Sequence, residues 1–400
     1  MAEKQENLHK LKLVESLKKA SKDLLSKPSI PIYTYTNLAT IKTYLELTTE
    51  FDPILSTDPT LFNLSHLVSN LKTELNNLQN SQDYTLKSFF HRLIANCEVS
   101  RIVASIEAEV QAWVDRESIK NLVQVLIDSN DDEEEKVKAL TRFEKRVSNG
   151  FNRELQEMIL KAKVFSILEA ILSKSKCSIR VFEQSARVIV ALVKFNKDVF
   201  VGQVLMGPII RNVVTMASYG SIRVLSSLVK LIRSPLVYEM EAHGYIPRII
   251  SLLYLSDLSI GTVALECVFE IALYATKEAI EAMIQEGLIK KLVELQRLES
   301  IGDSIDGGGG GGGESRGLCE ETEEERKMGR GERGLMEEWI FTSCVTRFVV
   351  QLEMGEGLEL GEKRELKQEI LRRVREASGS DAESTAIVSE VLWGSSPLLR

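Results

Sequence analysis

Aromatic side chains are scarce in this chain, at 6% of 400 residues, as expected where Leu, Ile, Val and Ala pack helix on helix. Cysteine is sparse too: five residues, an odd number, stand alone at Cys97, Cys177, Cys267, Cys319 and Cys344. With no Cys-x-x-Cys pair, neither a disulfide framework nor a zinc site is signalled, which suits a reducing compartment. The four histidines, His9, His66, His91 and His243, are scattered, with no second His or carboxylate at metal-ligand spacing. No metal and no cofactor are expected. No uninterrupted apolar run approaches the roughly 18 residues that span a bilayer, and Met1 to Asn7 is polar with no apolar segment following. No integral membrane segment is expected, and the cytoplasm or the nucleus is the expected location. Excess positive charge is also missing. A net charge of −8 argues against a protein built to neutralise phosphate backbones, so nucleic acid is not the expected partner, although a local basic patch can still exist.

What the chain does have is a repeat. Gly244 begins Gly-Tyr-Ile-Pro-Arg-Ile-Ile-Ser-Leu-Leu, two further apolar helical stretches follow, and Gly287 begins Gly-Leu-Ile-Lys-Lys-Leu-Val-Glu-Leu. The same pattern starts at Glu117, at Ala162 and, more loosely, at Gly207, giving starts 45, 45, 37 and 43 residues apart. Helices with a period in the forties and no strand pattern mark a helical solenoid of the armadillo or HEAT type. The short unit from Gly207 to His243 is expected to have lost most of one helix.

Around the repeats the chain reads as follows. Helices are expected at Leu8–Leu25, Thr36–Thr49, Leu61–Leu78 and Tyr84 to about Trp113, forming either an antiparallel bundle or an N-terminal cap for the array. The acidic run Asp131–Glu135 reads as a helix N-terminus that benefits from the helix dipole, or as a solvated loop. Seven glycines, Gly307–Gly313, precede a segment to Glu338 in which nine Glu outnumber five Arg or Lys, a composition unable to bury enough apolar surface to fold. The glycines lack the Lys-Ser/Thr of a phosphate loop. Order should resume at Trp339, with one helix carrying Cys344, Phe348 and Leu352, another carrying Leu366, Ile370 and Val374, and a last one opened by Ser380 with Glu383. The expected organisation is therefore 1–115 helical bundle, 116–300 repeats, 301–338 disordered insertion and 339–400 terminal helices and cap. The fold class is all-α: an armadillo-type α-solenoid preceded by an N-terminal helical bundle.

Lys138–Val147, Asn152–Ala162 and Val164–Leu172 resemble an armadillo repeat of the plant U-box/ARM group. Phe341–Glu353, Lys367–Ala377 and Ala386–Gly394 resemble the end of plant armadillo proteins with no catalytic domain, and the resemblance covers about 115–395. No U-box is visible: Asp52-Pro53 and Asp58-Pro59 stand without the rest of that module. Armadillo import receptors carry Trp and Asn on successive third helices to clamp basic peptides. The aligned positions here hold Thr141 and Lys145, Arg187 and Ala191, Ser226 and Lys230, Glu266 and Glu270, so the import-receptor function is not implied.

Third helices in such a superhelix line the concave face. Lys145, Arg187 and Lys230 then make the early groove basic, and Glu266 and Glu270 make the late groove acidic; the alternative is that all of these are solvated helix faces. The expected partner-binding residues are Thr141, Lys145, Arg187, Ser226, Lys230, Glu266 and Glu270, and the expected ligand is an extended peptide, acidic at one end and basic at the other. The function expected is a non-catalytic scaffold that binds a protein partner. A role in ubiquitin transfer, by recruiting a substrate or a conjugating enzyme, is the alternative.

Overall fold

The computed structural model describes residues 16, 19, 61–80, 86–128, 132–174, 177–306, 341 and 343–394. The expected helix at Thr36–Thr49, almost all of that at Leu8–Leu25, the glycine run and acidic segment to residue 338, and Trp339 lie outside these residues. Two compact units divide the chain: Met1–Asp131 with Phe151–Val164, and Asp132–Gly150 with Phe165–Arg400.

The first unit contains α1 (Phe62–Asn80), α2 (Leu86–Ile127) and α4 (Arg153–Lys161). Leu61, Leu64, Val68, Leu71 and Leu75 alternate three and four apart and are all buried, so they form one face of α1, and that face packs on α2. On α2 the buried stripe is Val99, Val103, Ile106, Val110 and Trp113, in unbroken helical phase, while Cys97 is exposed. The helix expected to end near Trp113 and the one expected to begin at Glu117 are one 42-residue helix. Neither Gly nor Pro interrupts it, so residue 115 is mid-helix and no domain boundary falls there. α4 buries Leu155 and Ile159 and packs on α2.

The second unit is the solenoid. It comprises α3 (Glu133–Ser148), α5 (Val164–Leu172, its first residue apart), α6 (Ile179–Phe195), α7 (Lys197–Met206), α8 (Ile209–Met216), α9 (Tyr219–Ile232), α10 (Ser234–Ala242), α11 (Tyr245–Leu252) and α12 (Leu258–Tyr274). It continues with α13 (Lys277–Gln285), α14 (Leu288–Asp306), α15 (Cys344–Met354), α16 (Leu360–Ala377) and α17 (Asp381–Gly394). No strand occurs among the described residues. Helices α7–α8–α9, α10–α11–α12 and α13–α14–α15 are three successive units of one design. In each, the second helix packs on the third, and the third helices stack into a continuous row α3, α6, α9, α12, α15. α8 also packs on α11 and α7 on α10, so equivalent helices meet equivalent helices from one unit to the next, which defines a solenoid.

At two of the repeat starts the small residue has a structural cause: it marks the joint between first and second helices, where the chain reverses in one left-handed residue, Gly244 at φ +67 and Gly287 at φ +84. Gly207 and Ala162 have negative φ, and Glu117 lies inside α2. The unit from Gly207 to His243 has not lost a helix, contrary to expectation; α8, α9 and α10 are all there. It is short because α9 has 14 residues where α6 and α12 have 17, and because Ala217, left-handed at φ +50, turns the chain from α8 into α9 within Ala217-Ser218.

The acidic run is a helix start: Asp132 caps α3 by accepting from the Glu134 amide, and Glu133, Glu134 and Glu135 form its first turn. α14 reaches Asp306, six residues into the stretch expected to be disordered, and carries Gly302 inside it. α14 and α15 pack together although more than thirty residues of sequence separate them. α16 and α17 close the array. Glu383 accepts from the Gly379 amide at 2.7 Å and pairs with Arg297 of α14 at 2.8 Å, and Ser380 caps α17 through the Glu383 amide.

Candidate functional site

The third helices decide what the solenoid can present. α6 is apolar nearly all round: Phe182, Ala186, Val188, Ile189, Val190, Ala191, Leu192 and Val193 are all buried, because α3 flanks it on one side and α9 on the other. Only a narrow stripe remains, with Arg180, Arg187 and Lys194 exposed seven residues apart. On α9 the corresponding stripe is Tyr219, Arg223 and Lys230, with Ser227 half-buried between them. On α12 it is Leu258, Thr262, Glu266 and Glu270.

Between these stripes lies a cleft of about 270 Å³ lined by Glu144 of α3, Arg187, Val190 and Lys194 of α6, and Gly220, Arg223, Val224 and Ser227 of α9. Gly220, the second residue of α9, is held close to α6. Oε1 of Glu183 accepts from the Ser218 hydroxyl at 2.6 Å and from the Gly220 amide at 3.0 Å. A Cβ on Gly220 would stand only 2.2 Å from the Glu183 carboxyl carbon. That carboxylate therefore belongs to the start of α9 and is spent on structure. The other acid at the cleft, Glu144, accepts from Gln184 Nε2 at 2.6 Å. The three cations are left in excess: Arg187, Lys194 and Arg223 make no ion pair among the described residues. Arg223 leans on Tyr219, its guanidinium carbon 6.0 Å from the ring centre.

One helix further on the arrangement differs. Lys230 of α9 pairs with Glu270 of α12 at 3.1 Å, near-equivalent positions, so these two helices run parallel and in register. Beyond them Arg347 of α15 lies over the Phe269 ring at 4.8 Å. Arg233, at the end of α9, pairs with Glu356 at 3.6 Å.

The residues expected to bind a partner are thus distributed unevenly. Arg187 lines the cleft. Lys230 and Glu270 meet each other, and Glu266 is exposed beside them. Lys145 is exposed on α3, but it is its neighbour Glu144 that lines the cleft. Thr141 is half-buried and donates to the Val137 carbonyl of its own helix at 2.8 Å. Ser226 is 6% exposed and cannot meet a partner; Ser227 takes its place. Ala191, the aligned counterpart of Lys230 one helix earlier, is also buried. Sequence reasoning missed Lys194, Arg223 and Glu144 because it advanced four residues along each helix, whereas the open stripe of α6 advances seven. The signal was available: in a helix as apolar as α6, the few charged residues must mark the open side.

Burial raises the thiols of Cys267 and Cys177 in this unit. Cys267 is fully buried in α12, and burial, seconded by Glu270 and Glu266, pushes its thiol up to about 12. Cys177 is also pushed up, by burial more than the nearby Lys174 and Lys136 pull it down.

No protein-family model matches the sequence, and no curated protein matches it. Solved structures do align with it. A designed armadillo repeat protein is 15% identical over 70% of this chain and 100% of its own, with a TM-score of 0.41. Another, solved in complex with a (KR)4 peptide, is 15% identical over 70% of this chain and 98% of its own, with a TM-score of 0.42. An engineered protein is 14% identical over 69% of this chain and 95% of its own, with a TM-score of 0.43. The chain is similar to each of these at low identity only, and its armadillo-type architecture is carried by the order and stacking of its own helices.

Proposed function

We propose that this chain is a non-catalytic scaffold that binds a segment of another protein across the exposed stripes of α6, α9 and α12. The observation that carries the reading is the cleft between α6 and α9, where three long cationic side chains surround open space with no acidic partner of their own. Solvated cations scattered on a surface need no explanation. Three that converge on one cleft, in a row of parallel helices whose other residues are committed to the core, make a recognition surface. A solenoid suits this use because each unit adds one rung of side chains to a continuous face. The resemblance of residues 115–395 to plant armadillo proteins without a catalytic domain agrees with it.

The test is a selection of random displayed peptides on the purified full chain, followed by placement of a photo-crosslinking residue at Ser227 or, as a control, at Met206, which is 93% exposed on α7. Selected peptides should crosslink at position 227 and not at 206. Equal labelling at both positions, or no peptide enriched above an empty surface, would remove the proposed function.

A further inference from the structure

We propose that the junction of α6 and α9 selects an acidic, partly apolar extended segment of a partner protein, with carboxylates on Arg187, Lys194 and Arg223 and an apolar side chain on Tyr219 and Leu258. This rests on the reading above that the third-helix face binds a polypeptide, and it specifies what that polypeptide carries.

Charge is the first argument. Arg187, Lys194 and Arg223 line one cleft with a single carboxylate, Glu144, which is already engaged by Gln184 at 2.6 Å. Guanidinium groups bind carboxylates through paired, charge-assisted hydrogen bonds, so two arginines across one cleft favour acidic side chains over neutral ones.

The second argument is the apolar margin. Tyr219 and Leu258 occupy the first position of neighbouring parallel helices and are 44% and 60% exposed. The helices' own cores do not need them. Tyr219 stands one turn before Arg223, within reach of its guanidinium, so a ligand residue resting on the ring sits beside one whose carboxylate meets the arginine. An aromatic ring at such a margin supplies contact area at little conformational cost.

The third argument limits where the acid can go. On α12 the exposed groups are Glu266 and Glu270, the second already paired with Lys230. Acidic residues of the ligand are therefore confined to the α6 and α9 rungs, and the stretch reaching α12 is apolar or basic. Spacing sharpens the motif. Packed helices lie roughly 8–10 Å apart, and an extended chain advances about 3.3 Å per residue. Arg187 and Arg223 sit on adjacent helices, and alternate side chains of an extended chain face opposite ways, so acidic residues two apart, with the long arginine side chains making up the remaining distance, reach one rung each.

The peptide selection is repeated on the wild-type chain and on a double variant, Arg187→Glu with Arg223→Glu, both shown equally helical by circular dichroism. Arg187→Gln with Arg223→Gln serves as a milder pair. The wild type should enrich Asp or Glu at a spacing of two, next to Leu, Ile or Phe. Its best peptide should lose at least about ten-fold in affinity on the reversed variant and a few-fold on Tyr219→Ala. The reversed variant should enrich Lys or Arg at the same spacing. If the wild type enriches basic or uncharged peptides that still crosslink at position 227, the scaffold stands and the acidic ligand is refuted. Peptides that crosslink nowhere on this face remove both. A wild type that dimerises in sedimentation equilibrium while the reversed variant stays monomeric makes a second copy of this chain the occupant, and that too refutes the proposal.

Discussion

The junction of α6 with α9 and the junction of α9 with α12 are built on the same plan and present opposite surfaces. Each joins two parallel third helices through buried Val, Leu and Ile; in the first the exposed cations find no acid, and in the second Lys230 and Glu270 satisfy each other at 3.1 Å. The difference arises from what the carboxylates are used for. Glu183 holds the Ser218 hydroxyl and the Gly220 amide, Glu144 accepts from Gln184, and neither forms an ion pair with the arginines. Glu270 has no such duty among its described contacts and turns to Lys230. A repeated backbone fixes where side chains stand; which of them remain available depends on individual hydrogen bonds.

The change with the largest effect should abolish the comparison by destabilising both junctions. Leu228 is fully buried in α9, the helix they share, and Leu228→Ala should cost about 2–5 kcal/mol in chemical denaturation, with peptide binding lost as the array loosens. Gly220→Ala separates the junctions. The added methyl pushes the Glu183 carboxylate out of its site, and losing those hydrogen bonds outweighs the better helix propensity, for a net loss of about 1 kcal/mol. In a Glu183→Ala background the same substitution should be neutral or stabilising by a few tenths of a kcal/mol, a double-mutant cycle whose coupling traces the loss to the Glu183 carboxylate.

A control outside both junctions is the pair that ties α17 to α14. Hydrogen bonds from Arg297, then from the Gly379 amide, hold the Glu383 carboxyl below the usual carboxylate range. A depressed carboxylate contributes stability that is present above the unfolded value near pH 4.3 and lost as pH falls through the folded one. Glu383→Gln should therefore lower the melting temperature at pH 7 by the equivalent of less than about 1 kcal/mol, the pair being partly exposed. The gap from wild type should close as pH falls below about 4. Smallest of all is Lys230→Ala. Its partner Glu270 is 23% exposed and Lys230 itself 59%, so stability should change by less than about 0.5 kcal/mol. Binding should respond more: freeing Glu270 makes the α12 rung more acidic, and peptides with a basic end should bind a few-fold more tightly, as fluorescence anisotropy would show.

The repeat itself was legible because its marks are local. Gly244 and Gly287 stand where one left-handed residue reverses the chain, and the apolar spacing after each is that of a helix. The terminal helices with Cys344, Leu366 and Ile387 were legible for the same reason, and all three are buried. The site was legible only in part. Arg187 was found, but Ser226 is buried, and Lys194 and Arg223 were missed. A helix covered by neighbours on most of its circumference leaves open a stripe about one residue wide, and its phase depends on the two flanking helices. Apolar spacing within one helix does not reveal that phase; on α6 only the few charged residues, Arg180, Arg187 and Lys194, mark it. The expected break near Trp113 failed differently: apolar residues on both sides of position 115 were assigned to two helices, and only continuity of the backbone shows that they share one.

The amino-acid sequence alone determined that this chain is helical, that its helices recur with a period in the forties, and where the units at Gly244 and Gly287 turn, since helix propensity, apolar spacing and left-handed joints act within a few residues of one another. Only the tertiary structure decided which charges remain free. An ion pair such as Lys230 with Glu270, or a carboxylate such as Glu183 turned inward onto the next helix, joins residues 35 to 40 positions apart, and the distance between them is set by packing.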